Sequence, residues 1–141
     1  MRCLADVNLW LALAFEKHPH SKAAWAWLAE QEINACVFCR MTQQGFLRLA
    51  TNPKAMADPL THNQAWRAYD RFLEDERIEF SEEPLGLEAH WRVYSKGAKY
   101  SPKIWNDAYL AAFATSSRMK LVTFDKGFRG YDKLSLELLS A

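Results

Sequence analysis

Short apolar runs alternate with amphipathic stretches along the whole chain. Continuous apolar runs at Cys3–Ala5, 33–38 and 121–124 are typical of strands that are buried on both faces. Residues 77–80 predict a further short strand near a sheet edge because they include charged side chains. Residues 134–138 could add a fifth strand, and the pattern by itself leaves that open.

Between these strands, apolar residues recur every three or four positions, which predicts helices. The predicted helices are 7–15, one capped by Ser21, Arg40–Ala50, one capped by Thr61, 85–94, and one from Ser101-Pro102 to about Arg118. Gly45 costs about 1 kcal/mol relative to Ala inside a helix, so it indicates close packing there. Strands alternating with helices predict an α/β fold, a three-layer α/β/α sandwich around a mainly parallel sheet of four or five strands.

Composition and charge narrow the class of protein. At 141 residues, half of them hydrophobic, the chain has the size of one globular domain, which we expect to span 1–141. The net charge of +1 excludes a uniformly basic nucleic-acid-binding surface but allows a local basic rim. No apolar stretch reaches the roughly 18 residues of a membrane helix, and the N-terminal residues lack the pattern of a signal peptide. We therefore expect a soluble, cytoplasmic protein.

Two spacings suggest metal ligands, and both have simpler explanations. Cys36 and Cys39 are spaced like a zinc or redox pair, but no second Cys pair or close His pair supplies further ligands. Within a buried strand a free cysteine behaves as a small hydrophobic residue, which is the interpretation we favour. His18 and His20 flank a proline turn without a carboxylate partner, so we expect them to be solvated rather than metal-bound.

Three aspartates occupy comparable positions in the predicted fold. Asp6 and Asp125 directly follow buried strands, and Asp107 lies early in the last predicted helix. Parallel strands end at one edge of a sheet, so Asp6 and Asp125 should emerge together, with Asp107 beside them if its helix begins there. Each has an alternative explanation, as a helix cap, a partner of the helix dipole or a turn residue. Their coincidence favours one site, in which Mg²⁺ or Mn²⁺ would offset the carboxylate repulsion.

Four short motifs follow one another along nearly the whole chain: LADVN at 4–8, TQQGFLRL at 42–49, NDAYLA at 106–111 and LVTFDKGF at 121–128. In this order they resemble the PIN domain, and in particular the VapC-type toxin ribonucleases of toxin–antitoxin pairs. The resemblance implies a Mg²⁺- or Mn²⁺-dependent endoribonuclease, a homodimer neutralised by a cognate antitoxin. It also implies that Asp6, Asp107 and Asp125 bind the metal and are catalytic, and that Asn8 and Thr123 support them.

Gln43 departs from the family pattern, which usually has Glu two residues before the Gly-Phe pair of the third helix. An amide can accept a hydrogen bond from a metal-bound water but adds no negative charge, so Gln43 is a candidate supporting residue only. This leaves open whether the site holds one metal or two. It also leaves an alternative, a PIN-like RNA- or partner-binding module whose site is inactive. Two other classes fit the sequence less well. An aspartyl phosphatase would require Asp at position 8, and a phospho-receiver domain would require a second acidic residue after the first strand.

Basic and aromatic residues near the motifs are candidates for RNA contacts. Positively charged side chains would bind phosphates that flank the cut, or simply face solvent; they are Arg40, Arg48, Lys103, Lys126 and Arg129. Tryptophans at 10, 66, 91 and 105 could stack on unpaired bases, although their helical spacing favours core or dimer packing. Trp105 is the exception because it lies two residues from Asp107.

Overall fold

Five short strands form one parallel sheet at the centre of the computed structural model, which describes residues 1–97 and 99–140. Its strands are β1 (Cys3–Ala5), β2 (Cys36–Phe38), β3 (Ile78–Phe80), β4 (Lys120–Thr123) and β5 (Leu136–Leu138). They lie in the order β3-β2-β1-β4-β5, and every neighbouring pair is parallel. The predicted parallel sheet is confirmed, with the fifth strand present beside β4. Of the predicted 1–141 span, Ala98 and Ala141 lie outside the described residues.

Helices cover both faces of this sheet. They are α1 (Val7–Ala14), α2 (Ser21–Ala29), α3 (Arg40–Ala50), α4 (His62–Glu74), α5 (Leu87–Ser95) and α6 (Ile104–Ser117). Cys3 and Ala5 of β1 join the apolar cluster formed with α1 to α4, whereas Leu4 joins the cluster formed with α5 and α6. Because successive strand residues point to opposite faces, this division establishes the predicted three-layer α/β/α arrangement.

Two predicted boundaries are wrong for local reasons. The second strand was expected from residue 33 but begins at Cys36, because Asn34 adopts a left-handed backbone conformation (φ 60°) and Ile33 is 64% exposed. Ser101 does not cap α6 directly, since the helix begins at Ile104. The Ser101 hydroxyl instead accepts a hydrogen bond from the Lys103 amide (3.1 Å) in the turn before the helix.

Helix caps show the same mixture of outcomes. Ser21 is the first residue of α2 rather than its cap, and His20 precedes it without a side-chain cap bond. Thr61 does cap α4, because its hydroxyl accepts a hydrogen bond from the Gln64 amide (3.1 Å) while the Gln64 side chain accepts from the Thr61 amide (2.9 Å).

Close packing around α1 sets the position of the first strand and of the helices beside it. A Cβ atom on Gly45 of α3 would lie 2.6 Å from Cγ2 of Val7, so the predicted close approach at Gly45 is confirmed. Trp10 is fully buried, stacks on Phe38 with ring centroids 3.7 Å apart, and donates its indole N–H to the Ala5 carbonyl (3.0 Å). Trp10 is therefore a core residue, as its spacing favoured.

The cysteines have a structural role in this core. Cys3, Cys36 and Cys39 are all buried and free, and burial raises the pKa of the Cys36 thiol to about 12. A thiol with so high a pKa stays protonated and is a poor metal ligand. Among the described residues, no helix is long and apolar enough to cross a membrane.

Candidate active site

A cavity of about 620 Å³ opens at the edge of the sheet where the parallel strands end. Asp6 follows β1, Asp125 follows the neighbouring strand β4, and Asp107 lies in the first turn of α6. All three side chains line this cavity. The structure thus brings together three carboxylates that are 101 and 18 residues apart along the chain (107 − 6 and 125 − 107).

Asp6 both caps a helix and faces the cavity, so its two explanations are compatible. One carboxylate oxygen accepts a hydrogen bond from the Val7 amide (2.7 Å), and the other accepts one from the Thr123 hydroxyl (2.7 Å). Burial raises the pKa of Asp6 above its usual value, and these two hydrogen bonds partly oppose that rise because they favour the charged form. The carboxylate is consequently held in one orientation at the end of β1.

Thr123 joins the ends of β1 and β4. Its buried hydroxyl donates to Asp6, accepts from the Asp125 amide (3.0 Å) and accepts from the Asn8 side-chain amide (3.3 Å). The Asn8 carbonyl oxygen in turn accepts from the Phe124 amide (3.4 Å). These bonds couple the backbone that carries Asp125 to the side chain of Asp6, so the spacing of the two aspartates depends on Thr123 and Asn8.

The pKa of Asp107 is affected by the other charges in the cavity. Its pKa is raised to about 6, first by burial and then by the negative charges of Asp6 and Asp125, while Lys103 opposes the rise. The three carboxylates are therefore close enough to repel one another, and a bound cation would relieve that repulsion.

The donor set fits a hard divalent cation, because carboxylate oxygens are the ligands that Mg²⁺ and Mn²⁺ prefer. Within residues 1–97 and 99–140, no three His, Cys, Asp or Glu side chains meet closely enough to enclose a metal ion by themselves. A cation held here by Asp6, Asp107 and Asp125 would thus retain several waters, as Mg²⁺ commonly does in proteins.

The predicted basic residues divide into two groups. Arg40, Arg48 and Lys103 line the cavity. Lys126 and Arg129 instead lie on the short 3₁₀ helix Lys126–Gly130, are exposed, and do not line it. Lys103 precedes α6. Its positive charge opposes the rise in the pKa of both Asp6 and Asp107.

Comparisons with known proteins agree with this arrangement. A family model described as PIN domain matches residues 3–134. The chain belongs to the PIN-domain family. It is 47% identical to Ribonuclease VapC41 of Mycobacterium tuberculosis, over 97% of this chain and 98% of that protein. Within the PIN-domain family it is thus a VapC-type ribonuclease, the toxin component of a toxin–antitoxin system.

Solved structures support the same fold. VapBC-1 from nontypeable Haemophilus influenzae matches with a TM-score of 0.70 at 17% identity, over 98% of both chains. VapBC2 from Rickettsia felis, bound to a DNA fragment from its promoter, matches with a TM-score of 0.69 at 16% identity, over 99% of this chain and 100% of that one. At these identities the likeness establishes the fold.

Gln43, which stands at the position of the usual PIN-domain glutamate, does not line the cavity. It is 7% exposed, and its side-chain oxygen accepts a hydrogen bond from the Arg40 guanidinium (2.5 Å). The same guanidinium lies over the Phe80 ring, 4.6 Å from its centroid. The next residue, Gln44, lines the cavity instead. In this PIN domain Gln43 therefore orients the Arg40 side chain, which lines the cavity, rather than facing the aspartates.

Glu83 and Tyr109 line the cavity and were missed by sequence reasoning. Glu83 comes from the loop between β3 and α5, and the Tyr109 hydroxyl donates a hydrogen bond to it (2.7 Å). Burial, together with that bond, raises the pKa of Tyr109, so it remains a protonated donor. Tyr109 was inside a recognised motif, but no local pattern distinguishes Glu83 from its neighbour Glu82.

Proposed function

We propose that this PIN domain is a divalent-metal-dependent endoribonuclease that cleaves RNA phosphodiester bonds, with Asp6, Asp107 and Asp125 as its metal-binding and catalytic residues. The observation that carries the proposal is that three carboxylates from three elements line one cavity. Membership of the VapC-type ribonucleases supplies the class of substrate.

The metal that fits these residues is Mg²⁺ or Mn²⁺. The carboxylate oxygens of the three aspartates are hard ligands, whereas the cysteines that would select a softer metal are buried in the core. When bound, such an ion activates a water molecule and neutralises charge that develops on a phosphate. Thr123 and Asn8 contribute by holding the ends of β1 and β4 in register.

Phosphates on either side of the cut would bind to the cations of the cavity wall. Arg40 is suited to this role because Gln43 and the Phe80 ring restrict its guanidinium. Lys103 and Arg48 approach the same cavity from α6 and α3. Lys126 and Arg129 would contact the RNA farther from the cut, beyond Asp125. Each chain would form a single domain, and two chains would form a homodimer. A cognate antitoxin would neutralise this dimer.

A second candidate is a PIN-like RNA- or partner-binding module without activity. It is favoured by Gln43, which replaces the usual acid and is hydrogen-bonded to Arg40 instead of lining the cavity. The two candidates differ in one respect, since only the enzyme cleaves RNA when a divalent metal is present.

The test is cleavage of structured RNAs with Mg²⁺, with Mn²⁺ and with EDTA. Asp6→Asn and Asp125→Asn should each abolish cleavage while the protein remains folded, because Asn has the size of Asp and keeps one acceptor oxygen but carries no charge. Asp70→Asn on α4 is the matched control, since Asp70 is exposed and outside the cavity. Wild-type cleavage by either cavity variant contradicts the site. Wild-type protein that binds RNA but never cuts it supports the binding module.

A further inference from the structure

Three aromatic side chains lead from the cavity to the surface. Tyr109 lines the cavity, and Trp91 of α5 packs edge-to-face against it with ring centroids 5.2 Å apart. Trp105 also packs edge-to-face against Trp91, at 6.5 Å, and its backbone carbonyl accepts a hydrogen bond from the Trp91 indole (3.0 Å). Trp105 is thus held at the end of a continuous aromatic row.

The outer end of this row is unusually exposed for its residue type. Trp105 has 61% of its surface accessible, whereas Trp10 in the core has none. Tryptophan is rarely placed in water without a partner, because its large apolar surface favours burial. Trp105 also lies one helical turn before Tyr109 on α6, and Trp91 packs against both rings. A ligand that covers Trp105 is therefore adjacent to the candidate active site.

The surroundings of Trp105 indicate a ligand with negative charge. A second cavity, of about 680 Å³, is lined by Glu88, Trp91, Arg92, Ser95, Lys96 and Trp105. Glu88 is already paired with Arg92 (2.8 Å), and Lys96 is exposed beside them. Lys103 lies two residues from Trp105 on the side of the aspartates. An exposed aromatic ring with lysines nearby is the combination that single-stranded nucleic acids bind.

We propose that Trp105 stacks on an unpaired base of the RNA substrate, in a nucleotide next to the cleaved bond, and that Trp91 holds Trp105 in place. This inference rests on the proposed function, because it takes RNA as the substrate. Base stacking on an aromatic ring is tolerant of sequence but requires a base that is not paired. Trp105 would accordingly select for single-stranded segments or loops, while Lys96 and Lys103 bind the adjoining phosphates.

The inference is tested by RNA binding in EDTA, where cleavage is prevented. A fluorescein-labelled single-stranded RNA of mixed sequence is titrated with wild type, Trp105→Ala, Trp105→Phe and Trp66→Ala, and the Kd is read from anisotropy. Trp105→Ala should raise the Kd by about 5- to 100-fold, the usual effect of losing one base stack. Trp105→Phe should retain most of the affinity. Trp66→Ala removes a Trp that is 50% exposed on α4 and should bind like wild type.

Several results would overturn the inference. They are an unchanged Kd for Trp105→Ala, an equal loss for Trp66→Ala, an equal loss when the RNA is annealed to its complement, or no binding by wild type. A change of oligomeric state in Trp105→Ala, seen by light scattering with RNA affinity unchanged, would mean that Trp105 packs against a second copy of the chain. Metal-dependent cleavage is measured separately, so failure of the stacking inference and failure of the proposed function are distinguishable.

Discussion

Thr123 is the residue on which the arrangement of the aspartates depends most directly. It is fully buried, and its single hydroxyl serves the Asp6 side chain, the Asp125 amide and the Asn8 amide. A buried hydroxyl must satisfy its hydrogen-bonding capacity, so these three contacts fix its rotamer and, through it, the orientation of Asp6. The sequence motif around Asp125 thereby has a physical meaning: the threonine positions both strand-end carboxylates.

Gln43 and Gln44 give a prediction at the same scale. Gln44→Glu adds a carboxylate to the cavity wall, so metal should raise its melting temperature more than that of wild type. Gln43→Glu should respond to metal like wild type, because the new carboxylate would pair with Arg40 instead of facing the aspartates. The measurement is thermal unfolding with and without Mn²⁺.

The metal-free proteins provide the control for this pair. Gln44→Glu should be less stable than wild type because a fourth carboxylate increases repulsion in the cavity. Gln43→Glu should not show this loss. A larger metal-induced shift for Gln43→Glu than for Gln44→Glu would mean that residue 43, not residue 44, faces the metal.

At the scale of elements, α1 and α3 pack closely beside the cavity. Val7 begins α1 directly after Asp6, and Gly45 of α3 packs against its side chain. Both residues also line the cavity. The absence of a side chain at position 45 is therefore what allows α3, with Arg40 and Gln44, to approach the strand end that carries Asp6.

Gly45→Ala is expected to destabilise the fold although alanine is the better helix former. Its Cβ would lie 2.6 Å from a methyl group of Val7, whose β-branched side chain cannot move aside easily. Overpacking costs about 1–3 kcal/mol, which exceeds the gain of about 1 kcal/mol in helix propensity. We expect the free energy of unfolding, measured with urea, to fall by up to about 2 kcal/mol, the difference between the two effects.

A double-mutant cycle with Val7→Ala checks the cause. Removing the Val7 methyl groups should recover most of the loss in the double variant, since the two residues are in direct contact. If the effects of Gly45→Ala and Val7→Ala simply add, the destabilisation does not come from this contact.

At the scale of the whole molecule, the helical layer opposite Trp105 also exposes apolar side chains. The layer of α1 to α4 leaves Trp25, Trp66 and Leu73 substantially exposed. Trp25 lines a groove of about 270 Å³ together with Leu13, Leu28 and Phe72. Exposed apolar surface next to a groove is typical of a surface that binds an amphipathic partner segment.

We accordingly expect the protein to arrest growth when expressed alone and to accumulate in soluble form when co-expressed with its cognate antitoxin. Toxicity depends on cleavage, so Asp125→Asn expressed alone should not arrest growth. The measurements are colony counts and soluble yield for each expression condition. High yield of a cleaving enzyme without growth arrest would contradict the toxin role and leave the nuclease proposal standing.

The sequence by itself determined those features that depend on near neighbours in the chain. Alternating strand and helix periods predicted a parallel sheet between two helical layers, because a periodic apolar face must be buried against something. The cap at Thr61 and the close approach at Gly45 were also predicted correctly, since each depends on one residue type in one local setting. Asp6 and Asp125 were candidates because parallel strands end at one edge, and Asp107 was added on the condition that its helix begins there.

Only the tertiary structure decided which side chains face the cavity. Along a helix, one residue step turns the side chain by about 100°, so Gln43 and Gln44 face different surroundings although their sequence settings are nearly equal. The order β3-β2-β1-β4-β5 brings the loop with Glu83 within reach of Tyr109, a contact between residues 26 apart. The exposure of Trp105 and burial of Trp10 likewise follow from how each helix packs on the sheet, which local periodicity does not specify.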